Sequence, residues 1–211
     1  KGLFIKRPKT LNGINLKYIP TIETKVLSQF IHSFFSIIHS CFSNTDVILV
    51  VNSANGPFGL ITKLFRKLTV INVDGLEWLR PKWKGLGSIY FKWASKMATV
   101  FYDQIINDSD EMRKVYLNLF KTDSKVIAYG ADIRKSSHSE LINNWDIKKG
   151  EYYLVVGRLI PDNNADFIIK GFLESLSNKK LVIVGDVPYK DQFAENLKSI
   201  NDERLIFTGY V

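Results

Sequence analysis

Short apolar runs alternate along the chain with segments in which apolar residues recur at helical spacing. The seven runs that predict strands cover residues 46–51, 69–73, 100–106, 125–128, 152–156, 180–184 and 204–208. Most of them end at Gly, Asn or Asp, and a helical pattern follows. Buried strands that alternate with helices are typical of βα units and a parallel sheet. The pattern therefore predicts an α/β fold.

Helical patterns fill most of the intervals between these strands. The first, Val26 to Phe42, has apolar residues at i, i+3, i+4 and i+7 on one face and Ser, Gln and His on the other. Because a membrane-spanning helix would not carry so complete a polar stripe, we expect an amphipathic helix packed on the sheet, or one in contact with a membrane surface. Further helices are expected up to residue 64 and over residues 88–97, 111–119, 165–176 and 189–200, and Ser109 or Asp110 can cap the third of these.

The pattern divides the chain into two parts. Residues 133–150 lose apolar periodicity and gather Ser, Asn and Lys, as a linker would. We expect an N-terminal domain over 1–135, a linker over 136–150, and the start of a second domain over 151–211. Because the chain begins without Met and stops inside an apolar run, we expect a fragment that lacks the first strand of one domain and the end of the other.

The net charge and the cysteine content indicate which classes of partner and compartment suit the chain. The 211 residues carry a net charge of +8, which favours an anionic partner such as nucleic acid, an anionic membrane surface or a sugar nucleotide. The single cysteine, Cys41, excludes an internal disulfide and favours a reducing compartment.

Arg158 stands at the predicted carboxyl end of strand 152–156, where parallel sheets place their ligand crevices. A helix pattern restarts a few residues later, and its N-terminus offers unpaired N–H groups. A guanidinium beside a helix N-terminus can bind a phosphate or a diphosphate. An ion pair between Arg158 and a local carboxylate such as Asp162 is the alternative, and spacing alone does not decide between them.

A second polar and aromatic cluster, NVDGLEWLRPKW, follows the strand at 69–73. Asp74 and Glu77 suit hydrogen bonds to sugar hydroxyls, and the rings of Trp78 and Trp83 suit stacking on sugar rings. The alternative is a strand-end aspartate that caps a helix, with the tryptophans in the core.

Basic residues continue from this cluster into the next helix and are interleaved with aromatic ones. They are Arg80, Lys82, Lys84, Lys92 and Lys96. Lysines on a solvated helix face are the default interpretation, and contact with an anionic lipid surface or a lipid-diphosphate acceptor is the functional one. No nucleic-acid-binding module is visible, so no nucleic acid is expected.

Two motifs resemble a known family. GRL-x-P-x-x-N, from Gly157 to Asn164, is similar to the start of the second domain of family 4 glycosyltransferases. DGLEWLRPKW resembles the N-terminal domain of the rhamnosyltransferase-type members that act in bacterial polysaccharide synthesis. INDS at 106–109 and IAYGAD at 127–132 resemble further segments of the family. The resemblance implies the GT-B fold, in which two Rossmann-like domains face each other.

The resemblance also implies roles for individual residues. In the family, the Arg and usually a Lys before the Asn hold the donor diphosphate; here Asn163 replaces that Lys. The expected catalytic residues are Asp74, Glu77 and Arg158, and Trp78, Arg80, Lys82 and Trp83 are expected to contact the acceptor or the membrane. The expected donor-binding residues are Gly157, Arg158, Asn163, Asn164, Gly185 and Asp186.

The implied activity is transfer of a hexose or deoxyhexose from a nucleotide-diphosphate sugar to a growing, lipid-linked bacterial surface glycan. The resemblance implies retention of configuration, no metal and no cofactor beyond the donor substrate, and a cytoplasmic location at the inner face of the membrane. The family's Gly-rich loop would precede Lys1, and its paired glutamates would follow Val211. A nucleotide-sugar epimerase of GT-B fold and a non-catalytic basic binding module are the alternatives.

Overall fold

A computed structural model describes residues 7–22, 24, 27–80, 83–133, 135–188 and 190–211. The chain forms two compact units, the first ending at Ala131 and the second beginning at Asp132. The segment expected as a linker contains a 3-10 helix at Ser139–Trp145, and Ile147 just after it is buried.

The first unit contains a four-stranded parallel sheet of order β3-β4-β5-β6. Its strands are β3 (Val47–Val51), β4 (Leu68–Asn72), β5 (Gln104–Asn107) and β6 (Lys125–Val126). A small hairpin, β1 (Thr10–Leu11) and β2 (Ile14–Asn15), precedes them. Asn12 and Gly13 form its turn with positive φ angles, as an Asn-Gly hairpin requires.

The described residues of the first unit form four α-helices. They are α1 (Leu27–Cys41), α2 (Gly59–Leu64), α3 (Leu86–Phe101) and α4 (Asp110–Phe120). Ser109 caps α4 by accepting a hydrogen bond from Met112 N, as expected. Ile71, Val73 and Ile105 from the sheet pack with Ala98 and Tyr116 from the helices to form the core.

Several predicted elements of the first unit differ from the structure in their bounds. The helix expected over residues 88–97 is α3, Leu86–Phe101, and the strand expected over 125–128 ends at Val126. The strand expected over residues 100–106 begins only at Gln104, because Val100 and Phe101 complete the last turn of α3. The turn after β3 is a 3-10 helix, Ser53–Phe58, that packs on α3. A Cβ on Gly56 would overlap the carbonyl oxygen of Ala94, so the close packing requires glycine at this position.

The second unit contains a three-stranded parallel sheet of order β7-β8-β9. Its elements are β7 (Tyr152–Val156), a 3-10 turn (Pro161–Asn163), α5 (Ala165–Glu174), β8 (Lys180–Val184), α6 (Gln192–Lys198) and β9 (Leu205–Gly209). The helix expected over residues 189–200 is shorter because Asp191 caps it, accepting from Phe193 N and Ala194 N; Tyr189 lies outside the described residues. Leu159, Ile169, Leu181 and Ile183 form the core of this unit.

One face of each sheet carries apolar side chains that are exposed in the described part of the chain. Ile48 and Val50 are buried beneath the helices, whereas Val47, Leu49 and Val51, which alternate with them, are 52–61% exposed. In the second unit, Leu154 and Val156 are exposed in the same way.

The main sheet of each unit consists of parallel strands connected by helices, so the predicted α/β fold with parallel sheets is confirmed.

Candidate functional site

The predicted donor-binding residues lie at the carboxyl ends of β7 and β8, which are neighbouring strands. Gly157 follows β7 and donates its N–H to Val184 O over 3.0 Å, and Gly185 follows β8. A Cβ on Gly185 would overlap the carbonyl oxygen of Gly157, and its φ of +115° is in the left-handed region. The two strand ends therefore approach so closely that only glycine fits at position 185.

The Arg158 side chain is exposed beside this contact. Within the described part of the chain its guanidinium forms no ion pair, with Asp162 or with any other carboxylate. The backbone of Arg158 is held in place, because its carbonyl accepts from Asn163 Nδ2 at 2.8 Å and from Ile160 N at 2.9 Å. Two hydrogen bonds thus fix the backbone of Arg158, and its guanidinium at the strand end has no ion-pair partner among the described residues.

Asn164 precedes α5 and has a left-handed backbone with φ 53°. Its side chain caps no N–H of the helix, so the first N–H groups of this ten-residue helix have no side-chain acceptor at the capping position. Asp166, in the first turn, has one buried carboxylate oxygen with no hydrogen-bond partner among the described residues. The sequence prediction did not include Asp166; its position in the first turn of the predicted helix was the available signal.

Asp186 pairs with a residue that the sequence prediction omitted. Its Oδ2 lies 2.7 Å from Lys198 Nζ, and its Oδ1 accepts from Val187 N at 2.8 Å. The hydrogen bond from Lys198, followed by the one from Val187, lowers the pKa of Asp186 below its ordinary value. Tyr210 donates its hydroxyl to the Asp186 carbonyl at 3.1 Å. The Asp186 carboxylate is therefore engaged within the unit.

In the first unit, Asp74 and Gly75 follow β4 at the carboxyl edge of the sheet. Gly75 has a φ of +111°, which allows the chain to turn sharply after the strand. Asp74 is partly exposed, and the buried hydroxyl of Tyr116 feels its charge. Burial raises the pKa of Tyr116 to about 12; Ser95 opposes this shift and the charge of Asp74 adds to it. Tyr116 thus places a buried phenol within electrostatic range of Asp74.

Glu77 is 6% exposed, and its carboxylate connects two other predicted site residues. Its Oε2 accepts from Trp83 Nε1 at 2.9 Å, and its Oε1 lies 3.0 Å from Arg80 Nη1. Glu77, Arg80 and Trp83 are thus brought together in one hydrogen-bonded cluster. Because both oxygens are engaged within the loop, the observed geometry gives Glu77 a part in holding the loop after β4.

Trp78 and Lys82 were also expected to contact the acceptor or the membrane. Trp78 is 8% exposed and packs its ring edge-on against Phe120, with ring centroids 6.2 Å apart. The structure thus corrects the expectation of a stacking platform: Trp78 is a core residue, and its ring presents no open face to a sugar. Lys82 lies outside the described residues.

Asn107 is a buried polar residue at the same sheet edge that the sequence prediction did not single out. It ends β5, is fully buried, and has neither its side-chain oxygen nor its nitrogen hydrogen-bonded to a described residue. Its position at the end of an apolar run was the signal that could have identified it.

The described residues lack a metal site and a membrane-spanning helix. They contain no group of three or more His, Cys, Asp or Glu side chains that could hold a metal ion. No helix among them combines the length and the hydropathy needed to cross a bilayer.

The fold is similar to that of solved structures. HepE from Anabaena, in complex with UDP and glucose, matches with a TM-score of 0.67 at 17% identity, over 88% of this chain and 53% of that one. The HepE complex with UDP-glucose matches with a TM-score of 0.66 at 17% identity, over 89% of this chain and 54% of that one. Sucrose-phosphate synthase from Thermosynechococcus elongatus matches with a TM-score of 0.68 at 15% identity, over 95% and 54%.

The chain thus spans about half the length of these structures. Their similarity confirms the fold class predicted for the chain, Rossmann-like domains of the GT-B type. No curated protein matches the sequence significantly.

A family model describes the first unit. It carries the description "Domain of unknown function (DUF1972)" and matches residues 27–132, from the start of α1 to just beyond the end of the first unit. The matched segment is half of the chain and contains Asp74, Glu77, Asn107 and Tyr116. The chain therefore belongs to the DUF1972 family.

Proposed function

We propose that the chain is part of a glycosyltransferase that uses a nucleotide-diphosphate sugar as its donor. The second unit binds the donor diphosphate, and the first unit faces the acceptor. Three observations support this proposal: the GT-B fold, the guanidinium of Arg158 that forms no ion pair with a described residue, and the UDP and UDP-glucose bound by HepE, which has a similar fold.

Arg158 is the observation that carries the proposal. An exposed guanidinium that forms no ion pair with a described carboxylate is available to an anion, and it lies at the strand end beside the close contact of Gly157 and Gly185. Helix α5 begins seven residues after Arg158, and its N-terminus is the positive end of the helix dipole. Together they suit a diphosphate, with Arg158 forming charge-assisted hydrogen bonds to its oxygens.

Transfer of the sugar leaves negative charge on the departing diphosphate. Arg158 and the helix dipole stabilise this charge as it develops, which is electrostatic catalysis that requires no protein nucleophile and no metal. Asn163 stands where the resembling family usually has a Lys. The Asn163 amide is neutral and donates to the Arg158 carbonyl. Arg158 therefore neutralises most of the negative charge of the diphosphate.

Asp74 is the proposed group of the first unit that contacts the reacting sugars, through hydrogen bonds to their hydroxyls. Glu77 acts indirectly, as a positioning residue that fixes the loop after β4 through Trp83 and Arg80. The finer proposals follow the family resemblance: a hexose or deoxyhexose as in rhamnosyltransferase-type enzymes, retention of configuration, and a lipid-linked bacterial surface glycan as acceptor at the cytoplasmic face of the membrane. The net charge of +8 is consistent with such anionic partners.

UDP binding by an Arg158→Ala variant tests the proposal. Loss of the charge-assisted hydrogen bonds should weaken binding by about 1.5–3 kcal/mol, roughly ten- to hundredfold. Isothermal titration calorimetry measures the affinity. Lys170→Ala removes one positive charge from an exposed position of α5 in the same unit and should leave the affinity unchanged.

Equal affinity of the wild type and Arg158→Ala for UDP would remove Arg158 from the site.

A turnover assay distinguishes a glycosyltransferase from an epimerase. A glycosyltransferase releases UDP in proportion to added acceptor, whereas an epimerase converts the donor without an acceptor. Binding to DNA or lipid without affinity for any nucleotide sugar would show a binding module instead.

A further inference from the structure

An apolar groove of about 340 Å³ opens between the start of α1 and the start of α3. It lies beside the 3-10 turn that follows β3, at the carboxyl edge of the first sheet. Its main lining residues are Leu27, Phe30, Ala54, Trp83, Leu86 and Tyr90. A groove of this size accommodates a slender ligand.

The polar groups along the groove are already engaged. Tyr90 donates its hydroxyl to the Ala54 carbonyl at 2.9 Å. Asn55 donates from Nδ2 to Val51 O at 2.8 Å, and its carbonyl accepts from the Tyr102 hydroxyl at 2.9 Å. Of the lining residues, Gln29 is the remaining one with a polar side chain. The groove therefore presents hydrocarbon and aromatic surface to its ligand.

Helix α3 extends this apolar surface outward from the groove. Leu86, Ile89 and Trp93 lie on one face of the helix and are 85%, 66% and 48% exposed. A stripe of large exposed apolar residues along one helix face marks a surface that binds lipid or protein. Its continuity with the groove indicates one contact region.

The charges around the stripe favour an anionic ligand. At 100° per residue, the exposed Lys92 and Lys96 lie on the side of the stripe opposite Tyr90 and the groove. Neither α1 nor α3 contains an Asp or Glu. An apolar stripe bordered by lysines matches a hydrocarbon chain that carries a negatively charged head group.

We propose that this groove and the adjoining stripe of Leu86, Ile89 and Trp93 bind the hydrocarbon chain of a lipid whose head group carries phosphate, and that Lys92 and Lys96, on the far side of the stripe, bind the phosphate. The identification of this lipid as the sugar acceptor rests on the proposed function. Trp83 supports that identification, because it lines the groove and also donates to Glu77 in the loop that follows Asp74.

Farnesyl phosphate is the probe, added below its aggregation limit while the tryptophan fluorescence of Trp83 and Trp93 is followed. Farnesol has the chain without the phosphate, and inorganic phosphate has the charge without the chain. Because chain burial and ion pairing both contribute, farnesyl phosphate should bind at least about tenfold more tightly than either.

Matched variants locate the site. Leu86→Asp places a charge at the mouth of the groove and should weaken farnesyl phosphate binding about tenfold or more, whereas Leu64→Asp, on an exposed position of α2, should not. Lys92→Glu with Lys96→Glu should weaken it about tenfold, whereas Lys148→Glu with Lys149→Glu in the second unit should not. Circular dichroism checks folding, and Leu86→Ser is the milder second variant.

Three results would overturn the proposal: no binding of farnesyl phosphate, equal binding by Leu86→Asp or its substitute Leu86→Ser and the wild type, or equal binding of farnesol and farnesyl phosphate. Sedimentation with phosphatidylglycerol vesicles in the absence of monomeric lipid binding would show surface adsorption and would also overturn it. UDP binding in the same variants, which depends on Arg158, reports separately on the proposed function.

Discussion

Arg158 and Glu77 show how the surroundings of a charged side chain decide what it can do. Arg158 is exposed and forms no ion pair with a described residue, so its charge is available to a ligand. Glu77 is buried, and Trp83 and Arg80 occupy its two carboxylate oxygens. Both are charged residues in predicted binding loops, yet the first is suited to contact substrate and the second to hold a loop in place.

Gly185 offers a test of the close contact between the strand ends. Gly185→Ala should destabilise the protein by about 2 kcal/mol or more, because its Cβ would overlap the Gly157 carbonyl and its backbone would be strained. Urea unfolding measures the change. Gly171→Ala, within α5 and with open space around the new methyl group, should stabilise by about 0.5–1 kcal/mol. Equal stability of Gly185→Ala and the wild type would contradict the observed contact.

At the scale of elements, the longer strands were predictable because an apolar run of five residues in an α/β unit is most often a buried strand. β7 and β8 lie where their patterns place them. The errors occur where the pattern is ambiguous: Val100 and Phe101 suit either a strand or the end of a helix, and the packing of α3 decides for the helix. Thr10–Asn15 is a hairpin that the Asn-Gly pair could have identified.

The positions of the site residues were more predictable than their contacts. Asp74 and Arg158 were predicted at the carboxyl edges of the sheets because each directly follows an apolar run in the sequence. This prediction depends only on the order of residues along the chain. The partners of these residues depend on the folded chain. Lys198 reaches Asp186 from twelve residues away, and only the packed loop shows that Trp83 donates to Glu77.

The ion pair between α6 and the end of β8 predicts a dependence of stability on pH. Because the pKa of Asp186 is lowered in the folded state, its contribution is present above the ordinary carboxyl pKa of about 4 and is lost as the pH falls through the lowered value. Asp186→Asn should destabilise by about 0.5–1.5 kcal/mol at pH 7 and by less in acid.

Urea unfolding at neutral and acidic pH measures this difference. Lys198→Gln removes the other partner and should show the same convergence with the wild type in acid. A constant difference between Asp186→Asn and the wild type across this pH range would exclude the pair as its source.

At the scale of the whole molecule, the first unit has a sheet whose edge strand carries exposed apolar side chains on the face that the helices leave uncovered. β3 is an edge strand of the described sheet, and its Val47, Leu49 and Val51 share the exposed face. Edge strands with exposed apolar residues tend to pair or stack with other chains. The isolated chain is therefore expected to self-associate through this face.

A charge on this face tests the expectation. Leu49→Lys should lower the sedimentation-velocity average mass at high protein concentration, because a lysine opposes stacking of the exposed face. Leu176→Lys, a 99% exposed loop residue of the second unit, is the control and should leave the mass unchanged. Equal masses for Leu49→Lys and the wild type would show that this face is not the contact.

Trp83 lies between the apolar groove, which we propose binds a hydrocarbon chain, and the loop after β4, which we propose contacts the sugar. One part of its indole borders the groove, and its N–H donates to a carboxylate three residues after Asp74. A hydrocarbon chain that seats against this ring would reinforce the hydrogen bond to Glu77. The bound chain would thereby order the loop that follows Asp74, so a saccharide without a chain would meet a less ordered loop.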